Sequence, residues 1–567
     1  MVKLPKRGWL LLIAAVIIAA AFGAYRFYKS RFLNDTLPDT VRSQSGGLYT
    51  ISYDTVIIDE VAGSVFISNI RVQADTLVLK SDTFSGERPD VLINLRADSL
   101  RVSGVETPRA LVSKEISGRS LLIKGVELQL IQLEKQKERS QPKDSLPSDV
   151  VERIYYDIMK ELRMVSMDTI LVQDVHLTFM NQASGKTNMK SHNVSIHLND
   201  LLIDEASLRD PARIFFSRQV QITADSIYLA DKKGLYTYGF SGFDLDTRSA
   251  TLLTQHIAVK PLFSESAFAK QFKTQVDRFN FSLGPVKLTG IDPARAMSGE
   301  LSADSLIVSE SSFRIFRDGT FPRDKLSRVG QYPQQVITKI PFPLTISNAV
   351  FVRSFVEYKE KNPKTGQSGK VQFNRVTARM ENITNEKQAL RKNDNMQVYF
   401  DGYFLNMAKV EVSMSLKLGD ERGRFSAKGK LGAFDATKLN IITEPLGMAR
   451  VDRGKVNGIR FNMNGDNYQA TGELRMLYDG IKISSLKLQE GKPGFQKEGL
   501  KSLMANMILR NKNTSGSNER VGRINNERNT NRSFFNLVWK SIFEGVKDVV
   551  GMPPGETSKN SKEKKTP

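Results

Sequence analysis

Residues 409–434 carry two strict alternations of apolar and polar side chains, back to back. In the first, Val410, Val412, Met414, Leu416 and Leu418 alternate with Glu411, Ser413, Ser415 and Lys417. In the second, Phe425, Ala427, Gly429 and Leu431 alternate with Arg424, Ser426, Lys428 and Lys430. Successive side chains of a strand point to opposite sides, so a period of two demands a sheet with one apolar face and one wet, basic face. Such an apolar face has to be covered by a second sheet, by helices or by an apolar ligand. What covers it sets the function.

Helices are too few to cover both faces of a large sheet. Between the anchor-like N-terminus and about residue 490, short β-like runs alternate with Gly, Asn, Asp and Ser. The exceptions are Ser148–Met164, where Val151, Ile154, Tyr155, Ile158 and Leu162 share a helical face behind an N-cap at Ser148 or Asp149, and a short segment at 264–275. The reading is an all-β dominated chain, an elongated and curved antiparallel sheet with an apolar groove, rather than an α/β fold.

One phrase recurs: Asp, then Ser or Thr, then an aliphatic, at Asp54, Asp75, Asp98, Asp168, Asp225 and Asp304, with Ala before it at Ala74, Ala97, Ala224 and Ala303. Asp and Ser/Thr close turns through local hydrogen bonds, so the plain reading is a turn followed by a new strand. The sharper reading is that the phrase resembles an O-glycosylation acceptor sequence of Bacteroidota. Thr36, Thr40 and Ser145, in loop-like sequence, are then the accessible acceptors.

Both ends of the chain look membrane-competent. Trp9 to Tyr25 is an unbroken apolar run that includes Leu12, Ile13, Val16, Ile17 and Phe22. As a helix it spans roughly 26 Å, near the thickness of a hydrocarbon core. Lys3, Lys6 and Arg7 before it favour a cytoplasmic N-terminus, and Arg26, Lys29 and Arg31 after it blunt that bias. It reads as an uncleaved single-pass anchor, with a cleaved signal peptide as the alternative; either way the bulk is exported. At the other end Phe535, Trp539, Ile542, Val546 and Val549 recur at spacings of four and three, and Phe534, Val538, Phe543 and Val550 widen the stripe; this is an amphipathic helix for a membrane interface, the open end of a sheet, a partner helix or the protein's own core. Both tryptophans, Trp9 and Trp539, fall in these two segments.

The boundaries on this reading are a cytoplasmic stub and anchor (1–30), an N-terminal β region (31–135), a loop and helix (136–165), the main β region (166–495), a polar linker (496–532), the amphipathic helix (533–552) and a disordered basic tail (553–567). The formal charge of +21 asks for an anionic partner. Export removes nucleic acid from the candidates and leaves anionic membrane surface, or a merely solvated surface.

The usual parts of a catalytic centre are missing. The chain has no cysteine and four histidines, His176, His192, His197 and His256. It has no HExxH motif, no GxSxG elbow and no phosphate-binding glycine loop. The reading is a non-enzymatic protein without metal or cofactor.

From Thr345-Ile346-Ser347-Asn348-Ala349-Val350 onward the sequence becomes familiar. Val356-Glu357-Tyr358, Gly369-Lys370-Val371-Gln372-Phe373 and Asn382-Ile383-Thr384-Asn385 follow. Then come Gly429-Lys430-Leu431-Gly432-Ala433-Phe434-Asp435, Leu439-Asn440, Glu444-Pro445, Gly454-Lys455-Val456 and Ala470-Thr471-Gly472-Glu473-Leu474 before Tyr478. In that order these segments resemble the AsmA-like envelope proteins (the AsmA, TamB and YhdP type), in a Bacteroidota branch. The resemblance covers 345–490 and the terminal helix. It implies an inner-membrane-anchored periplasmic protein whose apolar β-groove binds or conducts phospholipid or another amphiphile for envelope homeostasis, with other envelope proteins as further partners. The groove candidates are Val410, Val412, Met414, Leu416, Leu418, Phe425, Ala427 and Leu431. The alternative is an assembly factor for outer-membrane proteins acting by β-strand addition.

Overall fold

The computed structural model describes residues 37–59, 61–80, 89–105, 113–133, 147–160, 162–488, 495–497 and 510–551. The anchor residues Trp9, Leu12, Ile13, Val16, Ile17 and Phe22, the acceptors Thr36 and Ser145, and the basic tail lie outside the described residues. Among the described residues no helix is long and apolar enough to cross a membrane. The chain is dominated by β-strands and forms two compact units, residues up to 260 with 285–304, and residues 261–284 with 305 onward.

The main strands of the first unit are β1 (Ser64–Ala74), β2 (Val91–Ser103), β3 (Glu115–Gln132), β4 (Met164–Asn181), β5 (Thr187–Ile203), β6 (Ser217–Ala230) and β7 (Tyr236–Asp246). They pair in sequence order. Each junction is antiparallel except β3–β4, which runs parallel from Glu115↔Met164 to Gln132↔Asn181. The sheet is therefore mixed, not purely antiparallel as the sequence suggested. Parallel neighbours need a long crossover, and here it contains helix Pro147–Met159. That helix stops at Met159 instead of Met164, because Met164 already begins β4. Ile158 and Leu162 are buried, and Val151 and Tyr155 lie against the same apolar cluster as Val65, Ala97, Leu121, Ile170 and Ile196.

At Asp54 the recurring phrase marks a bend followed by a new strand, as expected, with Thr55–Asp59 beginning directly after it, but at Asp98, Asp168, Asp225 and Asp304 it lies inside a strand. Ala97, Ala224 and Ala303 are each 3% exposed and face the core, while Asp98, Asp225 and Asp304 beside them point outward. Asp98 is flanked by two residues in the left-handed region, Asn69 (φ 50°) on β1 and Gly125 (φ 65°) on β3. Asp225 is flanked by Asn193 (φ 49°) on β5 and Gly242 (φ 59°) on β7. The ladders step over these positions: Ser68↔Ser99 is followed by Ile70↔Ala97, and His192↔Ser226 by Val194↔Ala224. Asn193 Nδ2 donates to Asp225 Oδ2 at 2.9 Å. Asn and Gly tolerate this backbone, and such irregularities bend and twist a strand. The turn account holds at Asp75, whose carboxylate accepts the Leu77 N–H ahead of helix Thr76–Lys80. The Asp39-Thr40-Val41 segment, expected as loop, is also helical, within Leu37–Gln44.

The second unit contains β8 (Asp277–Leu283), β9 (Ser312–Asp318), β10 (Leu344–Lys361), β11 (Ser368–Thr384), β12 (Asn395–Phe404), β13 (Ala408–Lys417), β14 (Phe425–Leu431), β15 (Ala449–Gly465), β16 (Gln469–Leu488) and β17 (Val521–Glu527). They too pair in order. Here β9–β10 is the parallel junction, from Ser312↔Phe355 to Asp318↔Lys361. The short helix expected at 264–275 occupies Glu265–Ala269, capped by Ser264.

Residues 510–532, expected as a solvated linker, instead supply β17, laddered to β16 from Gln469↔Glu527 to Arg475↔Val521. Buried Asn513 donates to the Met476 and Arg520 carbonyls just before it. Ladder hydrogen bonds join backbone groups and are indifferent to side-chain polarity. Composition therefore gave no warning of this strand.

The terminal helix, Phe534–Val550, begins at an N-cap on Ser533 and ends at Gly551 in the left-handed region (φ 82°). Its buried side is Phe534, Leu537, Val538, Ser541, Gly545 and Val549. Of the expected stripe, Val549 is buried and Ile542 and Val546 are half-buried, but Phe535 and Trp539 are 69% and 45% exposed. The helix is apolar around much of its girth, so close approach selects the docking side. A Cβ on Gly545 would come within 2.7 Å of Leu474 Cβ.

Candidate binding face

Directly opposed residues of neighbouring strands share a face, so the register traces the apolar face of the second unit strand by strand. One row runs Phe400↔Val412↔Gly429↔Phe461↔Leu474, the next Val398↔Met414↔Ala427↔Met463↔Gly472, and a third Met396↔Leu416↔Phe425↔Gly465↔Ala470. Toward the other edge of this sheet the row continues as Phe281, Phe313, Val356, Phe373, Phe404 and Ala408. Seven of the eight candidate residues of the two alternations fall on this one face, and Leu418, in the turn just past the strand, is buried in the same cluster as Leu416. On the opposite face Glu411 is bridged by Lys409 and Lys430 at 2.8 and 2.6 Å, a wet, charged surface.

Both ends of the candidate rows are covered by the protein itself. At one, helix Asn440–Gly447 lays Ile442 against Phe404 and Val410. It also places Leu446 over Gly369, where a Cβ would come within 2.5 Å of Leu446 Cγ. At the other, Phe425 meets two aromatic rings, Phe534 at 5.0 Å and Tyr332 at 6.1 Å, and Gly545 sits against Leu474 and Ile524. Leu416, Leu418, Phe425 and Ala427 are accordingly buried, as is Val410. Between the covers Val412, Met414 and Leu431 are only half-buried, together with Val398, Phe400 and Phe461. Gly429 keeps this stretch low, because a side chain there would come within 2.6 Å of the Phe461 ring. A ladder of rings, Phe279–Phe281–Phe313–Phe351 at centroid spacings of 5.5, 5.3 and 6.1 Å, extends the half-open surface, with Phe279 37% exposed.

The cover at Tyr332 is tied down by polar groups that lie far apart in sequence. Tyr332 Oη donates to the Asp466 carbonyl at 2.8 Å, and Arg528 lies 4.5 Å over its ring. Burial pushes the hydroxyl pKa up to about 12. Arg528 Nη2 in turn donates to the Arg328 and Arg532 carbonyls at 2.9 and 2.8 Å.

Beyond the ring ladder the face turns polar. Asp277↔Arg317↔Glu360 forms one cross-strand row. Arg317 binds Asp277 through two hydrogen bonds of 2.7 and 2.6 Å, and Tyr358 Oη donates to Glu360 Oε2 at 2.8 Å. Burial, with Glu360 alongside, holds the Tyr358 hydroxyl well above its ordinary pKa, so it stays a donor at any physiological pH.

The terminal helix was expected from sequence, with capping the open end of a sheet among its readings; helix Asn440–Gly447 and Tyr332 were not singled out as part of the face, and no local pattern announces such long-range contacts. His176 and His192, by contrast, lie on outward positions of neighbouring strands, with ring centroids 5.6 Å apart. Among the described residues no group of three His, Asp or Glu side chains converges to hold a metal ion. No protein-family model matches the chain, and no curated protein matches its sequence.

Proposed function

We propose that this protein binds the hydrocarbon chains of an amphiphile on the face around Val412, Met414 and Phe400, as an AsmA-like, inner-membrane-anchored protein whose bulk is periplasmic. The observation that supports this reading is an apolar face covered by the protein's own elements at both ends and left half-open between them. A folding core would be covered throughout, because each exposed Å² of apolar surface forgoes roughly 25 cal/mol. A contiguous apolar surface left to solvent is a binding surface more often than an accident. Acyl chains fit it for the reason that Val and Met do: they ask for apolar contact and no hydrogen bonds. Movement along such a face exchanges one apolar environment for another, with little net free energy per step.

The test is lipid analysis of the purified full-length protein by mass spectrometry. Phospholipid is expected to co-purify and to be lost in Val412→Asp/Met414→Asp, with the urea midpoint little changed because both side chains are half-exposed. A folded wild-type protein without lipid would overturn the reading and favour strand addition to other envelope proteins. Leu416 is the wrong place for such a variant, since its burial makes a carboxylate there a folding defect.

A further inference from the structure

The polar border of the binding face carries more positive charge than its own carboxylates can use. The loop after β9 is held to the start of β8 by Gln275, whose N–H donates to the Pro322 carbonyl at 2.9 Å and whose Nε2 donates to the Phe321 carbonyl at 2.8 Å. This holds the backbone next to Arg323 against the strand that carries Asp277. The segment before the terminal helix is fixed to the same loop: the Arg328 N–H donates to the Thr530 carbonyl at 2.7 Å, and Arg528 spans the Arg328 and Arg532 carbonyls. Arg532 is thereby brought to the cluster, and Lys540 follows on the helix. Burial, then the nearby Arg323 and Arg317 guanidinium groups, push the pKa of Arg532 down. Partial desolvation by the neighbouring protein, then Arg532, do the same to Lys540, although its side chain remains exposed.

Two of the three carboxylates nearby are ion-paired elsewhere, Asp277 with Arg317 and Glu544 with Lys547, both at 2.6 Å, and Glu360 accepts the Tyr358 hydroxyl and keeps its charge. Arg323, Arg532 and Lys540 form no ion pair among the described residues. Glu360 acts on Arg532 and Glu544 on Lys540 from a distance, but desolvation and repulsion by the neighbouring cations outweigh them, and a dianion or monoanion placed among the three cations relieves that repulsion. Two guanidinium forks suit the paired oxygens of a phosphate. The same helix shows exposed Phe535, Trp539 and Phe543 to solvent, so the site adjoins apolar surface.

We propose that Arg323, Arg532 and Lys540 bind the phosphate of an anionic amphiphile whose hydrocarbon chains lie on the apolar face next to them. This rests on the lipid-binding reading of that face and adds a headgroup preference to it. A choline headgroup brings its own cation into the cluster and is disfavoured. Inorganic phosphate shares the anion chemistry but gains nothing from the apolar face.

The experiment uses the full-length chain in detergent micelles with Trp9→Phe, which leaves Trp539 as the sole tryptophan, beside Lys540. Quenching of its emission is followed with acyl-brominated phosphatidylglycerol and with acyl-brominated phosphatidylcholine. Phosphatidylglycerol is expected to half-saturate at about tenfold lower concentration at low salt, and the gap is expected to narrow as salt is raised. Arg323→Gln/Arg532→Gln/Lys540→Gln should abolish the gap while leaving the phosphatidylcholine curve in place, and Arg532→Lys alone should keep most of it. An unchanged urea midpoint in the triple variant excludes misfolding as the cause. Equal binding of the two lipids by the wild type, or a gap that survives the triple variant, overturns the headgroup site and leaves the face intact. Quenching by neither lipid removes the lipid-binding reading itself. Displacement of phosphatidylglycerol by millimolar inorganic phosphate would assign the cluster to free phosphate and overturn the amphiphile proposal.

Discussion

Asn193, with φ 49° and its side chain on Asp225, does two jobs that few residues can combine: it accepts a left-handed backbone and it supplies a donor. Asn193→Gly is expected to be mild, since glycine accepts the backbone. Asn193→Val should cost about 1–2 kcal/mol, the penalty for a β-branched side chain in that region, read as a lowered urea midpoint. Gly125 is stricter, because a methyl there is both left-handed and driven into the Asp98 carboxylate. Gly125→Ala should cost about as much or more. The Asp phrase was visible in the sequence, but its meaning inside the strands was not. Its partners, Asn69, Gly125, Asn193 and Gly242, stand on neighbouring strands, and a single strand cannot say what its neighbour's backbone is doing.

At the scale of an element, the terminal helix is the cover most open to test. Asp548 joins it to β17 by accepting the Arg523 N–H and an Arg520 N–H, both at 2.8 Å. Burial alone would raise that carboxyl, but these hydrogen bonds outweigh it and hold its pKa below the usual range. A carboxyl whose folded pKa is depressed stabilises the docked state above its unfolded pKa, near 4, and the contribution disappears as pH falls through the folded value. Amide protection in 534–550, taken relative to the intrinsic exchange rate at each pH, is therefore expected to fall below about pH 4, and Asp548→Asn should show the lower protection at neutral pH and little further loss on acidification. If the protection factors of the helix are the same at about pH 3 and about pH 7, Asp548 is not the tie. The sequence showed the helix and its length well. It placed the buried side only in part: Phe534, Val538, Val549 and Val550 of the widened stripe are buried, but Phe535 and Trp539 are not, because periodicity identifies apolar positions and cannot rank Phe535 against Gly545, whose value lies in having no side chain. It missed β17 for a related reason, since Val521–Glu527 carries a single fully buried apolar side chain, Ile524, among polar neighbours.

At the scale of the whole molecule, the division of the chain is not a simple cut. The strand Val286–Thr289 returns to the first unit and pairs with Thr251–Thr254. A fragment ending at Lys260 therefore leaves that ladder open. Residues 1–260 are expected to self-associate more than residues 1–304, an open strand edge being a template for further pairing, and light scattering of the two fragments decides it. The β class and the orientation of Val410–Leu418 and Phe425–Leu431 were legible because alternation is local. The parallel junctions and the two helical covers were not, because they depend on contacts made across long loops.

That distance has a consequence in time. Arg528 reaches back 200 residues to the Arg328 carbonyl, and the helix that covers Phe425 and Leu474 follows the last strand of the sheet. Until those final residues leave the ribosome, the finished sheet stands with one end bare. A chain stopped early, just after β17, would carry every strand of this unit and still present that end to the first apolar surface it met. Quality control would then have to act on a protein whose only fault is a missing last stretch.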